Sequence, residues 1–533
     1  MPTLLAPPSQ SGEDASDGKF SFMTALAFSI NFAMGAGFLT LPFAFFESGV
    51  VLATFCNLVI TIPLSVSLVL VLEAMARGSA VMSGVTNHSR LSVHDDEFDD
   101  TLDDSAALIQ KSGAIALVST NTTSANSTLT HNVYNSIPDV HTTSNPPNTQ
   151  STSSELLVVG EEKIELADLC EIFLGPKGKY SFIVIVSFYN YGCLWLYTAV
   201  FSHALTLHFP ILESAYHSYV LYTGLFALLV VPLSCLDLTE QVFVQMTLSL
   251  CRVLVILIMV STSLIAYVDH GGLPLDHAEP APQVDLSGFA LILSTCAYAF
   301  LFSQGLPVLA EPARDKRGLG KVFQFTLLFM VVGYSTIGVS VALLFGSNIR
   351  SSCNLLWGAY TMGNVTNPVL ILLAKVVSSY VVLFPALDCL SAYPLMAIML
   401  GNSLHVCFTE SMKLNAPHNK DAIEEKNSRK LLVCYRLLAA VPPIIGATFV
   451  SHLGVITNYT GISGIVIGFI FPPLLSAASE KMLLACGANP VTVYSSAIAT
   501  AVRPFVLYLG IVLCIFVLAM NIFHPPAGVH ESN

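Results

Sequence analysis

Charge is what this sequence most lacks. Only 11% of its 533 residues are Asp, Glu, Lys or Arg, where a soluble globular domain carries about 25%. A chain so poor in charge and 54% hydrophobic reads as a polytopic membrane protein. Other absences narrow the class. No glycine-rich phosphate loop ending in Gly-Lys-Ser/Thr occurs, which excludes nucleotide-driven pumping. No His, Asp and Ser set converges in motif form, so the expectation is that this is not an enzyme. The 12 cysteines contain no CxxC pair, and buried free thiols are the default for such scattered residues. The net charge of −13 argues against a nucleic-acid partner. The first residues, Met1 to Lys19, carry no basic stretch ahead of a short apolar core, so a cleaved signal peptide is not expected.

What is present is a series of apolar runs. About 20 apolar residues cross a bilayer as a helix. By that measure there are roughly 11 spans, near 20–46, 50–76, 180–207, 215–236, 245–268, 287–309, 322–346, 367–398, 430–450, 454–477 and 500–523. Pro385 and Pro394 predict a kink or an extension in the eighth. Lys and Arg cluster in alternate loops, from Arg314, Lys316, Arg317 and Lys321 through Lys413 to Lys430, while the opposite loops hold only Arg350. That bias places the amino terminus in the cytoplasm. The expected organisation is a disordered N-terminus (1–19), spans one and two (20–76), a disordered cytoplasmic insertion (77–163), an interfacial helix with spans three to eleven (164–523), and an extracytoplasmic tail (524–533). The insertion is rich in Ser, Thr, Asn and Asp and poor in aromatics, so it buries too little to fold. Ile164 to Gly175 has apolar residues at helical spacing between acids, which suits an amphipathic interfacial helix.

Span one contains Asn31-Phe32-Ala33-Met34-Gly35-Ala36-Gly37-Phe38-Leu39-Thr40-Leu41-Pro42. Glycine costs about 1 kcal/mol and proline about 3 inside a helix. One reading is a small-residue face for tight helix packing. The other is a helix that breaks at mid-membrane to expose main-chain groups to a substrate. Span six repeats the pattern in Phe300-Leu301-Phe302-Ser303-Gln304-Gly305-Leu306-Pro307. Paired interruptions favour the second reading. Spans one and six run in opposite directions, which predicts an all-α, five-plus-five inverted repeat with discontinuous helices 1 and 6.

The order Asn31…Gly35-Ala36-Gly37…Leu41-Pro42-Phe43-Ala44-Phe45…Gly49 resembles the first-span signature of the amino acid/auxin permease family, of the APC superfamily. Glu165-Leu166-Ala167-Asp168…Phe173-Leu174-Gly175 and Gly305-Leu306-Pro307 followed by Arg314-Asp315-Lys316-Arg317 are similar to it too. The long insertion is not a family feature. The resemblance implies secondary transport of amino acids by alternating access, driven by sodium or protons. The rival class is an amino acid sensor on a transporter scaffold.

Candidate roles follow from the chemistry of a free amino acid. Its carboxylate would meet main-chain N–H groups at Gly35, Ala36 and Gly37, where small side chains let backbone approach. Its ammonium would meet carbonyls near Phe300 and Phe302, with Ser303 and Gln304 adding side-chain contacts. No acid or base lies in either break, which favours a neutral substrate. By resemblance, span three walls the pocket through Tyr189 and Asn190, beside Tyr191 and Trp195. Also by resemblance, a sodium ion would be held by Asn31 with Ser378 and Ser379 of span eight; serine back-bonding is the bland alternative. For proton coupling the candidate carrier is Asp388, since intramembrane ionisable residues are expensive. Lys375 on the same span is 13 residues away, too far to pair within a turn. Glu73 and Arg252 read as snorkelling residues near span ends. No cofactor is expected beyond a coupling ion. The partners are substrate, ion and bilayer, in a plasma membrane or an endolysosomal or vacuolar one.

Overall fold

A computed structural model describes residues 20–94, 156–160, 164–236, 242–361, 367–415 and 421–523. The expected termini 1–19 and 524–533 and most of the 77–163 insertion lie outside these residues. Among the described residues the fold is helices, with two isolated β-bridges. Among the described residues, ten helices are long and apolar enough to cross a membrane. The first apolar run is in addition to these and is interrupted.

Helix α1 (Phe22–Ala33) ends at Met34 and a 3₁₀ turn covers Ala36–Leu39. Helix α2 (Leu41–Ser48) then restarts with Pro42 in its first turn, where its missing N–H costs nothing. Helix α3 is continuous over Val50–His94, so the insertion begins as helix rather than as the disorder expected from 77 onward. Helix α4 (Leu166–His208) contains both the interfacial helix and span three. The two are separated at Gly175, whose φ of 76° is open to glycine but costly for other residues. A capping box between Glu165 and Asp168 starts it.

Helices α5 (Ala215–Ser234) and α6 (Val242–Asp269) complete the first five spans. Span six is again broken: α7 (Phe289–Ala299), a 3₁₀ turn at Ser303–Gly305, then α8 (Leu306–Ala310). After α9 (Leu319–Phe345) come α10 (Pro368–Asn415) and α11 (Asp421–Phe449). In α10, Pro385 and Pro394 lie inside one long helix. Helices α12 (Leu453–Ile465) and α13 (Phe471–Ala485) join through a π turn at Val466–Ile470, and α14 (Ala497–Phe523) ends the bundle.

The core is built around the interrupted segments. The stretch Phe289–Ala310 is the most buried of the crossing helices, 89% of its apolar window being inside the protein, against 22% for α14. A lipid-facing role for span six is therefore excluded.

The basic end of the bundle is tied together by main-chain pairing. Phe20 donates to Pro312 and accepts from Arg314, joining the entrance of α1 to the exit of α8. Leu157 pairs with the turn before α14, donating to Val491 and accepting from Val493, and Gly160 N–H donates to Ser79 of α3. Arg77 fixes α3 to the same region. Its guanidinium donates to the carbonyls of Pro490 (2.9 Å) and Ser476 (3.0 Å) and to Ser479 Oγ (3.1 Å). Tyr494 donates to the Lys316 carbonyl at 2.5 Å, and burial pushes its phenol up to about 12.

Candidate functional site at the two helix breaks

An α-helix leaves its last four carbonyls and first four N–H groups without internal partners. Breaking a helix in a hydrocarbon-depth core creates both sets where water is scarce, so other groups must serve them. Here the two breaks interlock. A Cβ at Gly37 would lie 2.9 Å from both Cα and Cβ of Ala299, so the turn after α1 rests directly on the backbone of α7. Reciprocally, Gly305 of the second break receives the ring of Phe32 from α1.

The carbonyl ends are capped by side chains from other spans. Arg252 of α6 sends Nη1 to the carbonyls of Asn31 (3.0 Å) and Met34, filling the carbonyl end of α1. The same guanidinium makes a two-pronged pair with Asp388 of α10, Nε–Oδ2 at 3.0 Å and Nη2–Oδ1 at 2.7 Å. Both residues are buried, at 6% and 7% exposure. The snorkelling role expected for Arg252 is therefore wrong. Its charge stays inside because a carboxylate and two freed carbonyls together satisfy four of its five N–H groups. Glu73 is also buried rather than snorkelling, at 1% exposure, with Oε2 accepting from Ser476 at 3.0 Å.

At the second break, Tyr189 donates its hydroxyl to the carbonyl of Tyr298, in the last turn of α7, at 3.1 Å. Its neighbours are committed elsewhere. Tyr191 donates to Leu438 (2.6 Å) and the Trp195 indole to Val450 (2.8 Å), so both tie α4 to α11 and its end. Asn190 is half-buried. Phe300 and Phe302 are fully buried, with the Phe300 ring centred 5.3 Å from that of Tyr334. Ser303 Oγ and Gln304 Oε1 are buried without a hydrogen-bond partner. Ser67 Oγ, across a space of about 10 Å³ between α3 and Phe300–Ser303, is likewise unpartnered. That space is about the size of one water.

The serines expected to meet Asn31 have other partners. Ser378 donates to the carbonyl of Trp357 at 2.7 Å, and Ser379 lies 3.3 Å from His208 Nε2 at the end of α4. Lys375 is exposed on the surface of α10. Sequence reasoning missed Arg252 as the partner of the first break and Tyr334 as a neighbour of the second.

The family model described as "Transmembrane amino acid transporter protein" matches residues 149–523, from the end of the insertion to the end of α14. The chain belongs to this family. It is thus a multi-pass membrane transporter and not an enzyme. The match takes in the second break, Arg252, Tyr334 and Asp388, while α1 to α3 precede it. Among curated proteins, the chain is 23% identical over 484 residues to the Transmembrane protein 104 homolog of Dictyostelium discoideum, covering 88% of this chain and 91% of that one. It is 22% identical to the Drosophila melanogaster homolog (68% and 74% covered) and 22% to Homo sapiens Transmembrane protein 104 (62% and 67%). Among solved structures it is similar to the Eremococcus coleocola manganese transporter, at 12% identity and a TM-score of 0.40, over 95% of this chain and 97% of that one.

Proposed function

We propose that this transporter carries neutral amino acids by alternating access and is coupled to protons. The observation that carries the reading is the Arg252 guanidinium seated on the carbonyls that the first break sets free, with Asp388 as its counter-ion. A sodium ion wants five or six oxygens, and these main-chain oxygens already accept from a covalently attached cation. Ser378 and Ser379 have partners on other elements, which removes a second incentive for sodium at Asn31. Asp388 is then the group through which a proton gradient acts. A proton on its carboxylate ends the two-pronged pair and loosens the hold of α10 and α6 on the broken helix.

Substrate enters where the two breaks meet. Its carboxylate faces the N–H groups at the start of the Ala36–Leu39 turn, and its ammonium faces oxygens of the Phe300–Ser303 segment. Gly37 rests on Ala299 and Gly305 against Phe32 in this conformation. The interrupted helices must therefore separate to admit a ligand, and rocking of these segments against the remaining helices supplies the alternation. The membrane would be one that holds a pH gradient, whether plasma, endolysosomal or vacuolar.

The test is uptake of labelled neutral amino acids into proteoliposomes under separately imposed pH and sodium gradients. Accumulation driven by inward acid and indifferent to sodium is expected, with Asp388→Asn removing the pH dependence. Sodium-driven accumulation would refute the coupling. Binding without accumulation would instead identify a sensor.

A further inference from the structure

Most buried hydroxyls among the described residues are satisfied; Ser67, Ser263, Thr295, Ser303 and Tyr334 are not. Ser48, Ser79, Ser187, Thr198, Ser234 and Thr326 each donate to the carbonyl four residues back in their own helix. The tyrosines of the core follow suit: Tyr189, Tyr219 and Tyr393 donate to carbonyls on neighbouring elements. Among the tyrosines described, Tyr334 alone has a buried hydroxyl left unpartnered. It is 1% exposed, yet its hydroxyl has no partner. A phenol buried beside hydrocarbon usually finds an acceptor, because leaving one unpaired costs about 1–3 kcal/mol.

Its position gives the exception meaning. Tyr334 sits on α9, which packs on the Ala36–Leu39 turn of the first break. Its ring lies against Phe300 of the second break. Arg252, seated on the carbonyls of Asn31 and Met34, stands at the entrance to the same turn. Arg252 has five N–H groups, and Asp388, Asn31 and Met34 account for four. The Tyr334 O–H is a donor without an acceptor, on a helix that packs against the turn of the first break. A buried phenolic donor with no acceptor, set between the two breaks, suits an anionic oxygen.

We propose that Tyr334 donates its hydroxyl to the α-carboxylate of the transported amino acid and so selects for a free carboxylate. This rests on the amino acid reading given above. Tyr334 then adds a side-chain donor to the main-chain N–H groups that face the same carboxylate. The neutral pairing of Arg252 with Asp388 leaves the pocket without a net cation, so the phenol supplies discrimination that charge alone does not.

Tyr334→Phe removes one oxygen and keeps the ring on Phe300, so the fold should be undisturbed. Binding to the purified full chain in detergent micelles would be measured calorimetrically with L-alanine and L-leucine and with their methyl esters. The native protein should prefer the free acids. Tyr334→Phe should weaken acid binding about 10- to 100-fold, as expected for a hydrogen bond to a charged acceptor, and leave ester binding nearly unchanged. Equal binding of acids by both proteins would overturn the proposal. So would a parallel loss of acid and ester, which marks a structural role. If the native chain binds neither acid nor ester, it is the amino acid reading that falls.

Discussion

Replacing Gly37 with alanine tests the contact between the breaks. The new methyl carbon would stand 2.9 Å from Cα and Cβ of Ala299, and its next neighbour, Tyr298 Cδ1, is at 3.5 Å. Carbon atoms in comfortable contact are about 3.5–4.0 Å apart, so the turn and α7 must move apart by roughly 0.6 Å or more. One of the two close atoms is backbone and cannot swing aside. Overpacking of this kind costs about 1–3 kcal/mol, enough to shift a two-state equilibrium about 5- to 150-fold. Gly35 is the internal control. A Cβ there finds only the Tyr197 hydroxyl, at 4.0 Å, and its φ of −74° is accessible to alanine. Gly35→Ala should be neutral or stabilise by about 0.4–1 kcal/mol through the unfolded state. Thermal unfolding of the purified proteins and initial uptake rates provide the two readouts. Gly37→Ala should lower both while remaining in the membrane, and Gly37→Val should abolish uptake. If Gly35→Ala lowers the unfolding temperature as much as Gly37→Ala does, or if Gly37→Ala is silent, the interlocked breaks are not how the segments meet.

Two further outcomes follow from buried charge. Arg252→Met and Asp388→Leu should each destabilise by about 3–5 kcal/mol, because each strands the other charge, while the double variant should recover most of the loss; a double-mutant cycle in chemical or thermal denaturation reads this directly, and simple additivity would dismiss the pair as an energetic unit. Arg77→Lys should retain charge but not the three-way grip on Pro490, Ser476 and Ser479, so limited proteolysis near Leu156–Gly160 should accelerate, and an unchanged cleavage rate would show that Arg77 does not hold that end together.

The interruptions were legible because they are local. Glycine and proline punctuate a helix where they stand, and each break lies within a dozen residues of sequence. The apolar runs were legible for the same reason. Pairing across the bundle was not. Arg252 and Asp388 are 136 residues apart, and within the expected span 367–398 the one Lys or Arg is Lys375, which is exposed. Depth was also a poor guide to partners: Ser378 and Ser379 sit at a plausible level in span eight, but the direction each faces is set by packing against Trp357 and His208. Tyr334 gives no signal at all in the sequence, being one aromatic residue in an apolar helix. The end of the insertion was misjudged as wholly unstructured because Leu157 gains its order from a turn more than 330 residues later, at Val491 and Val493.

The guanidinium–carboxylate pair at the first break also bears on the electrical behaviour of the protein. With the pair intact, this site carries no net charge in the transmembrane field. A proton added to Asp388 leaves Arg252 uncompensated, and that single positive charge gains or loses about 2.3 kcal/mol per 100 mV if it crosses the whole potential. Reorientation of the loaded protein would then respond to voltage, and return with the pair re-formed would not.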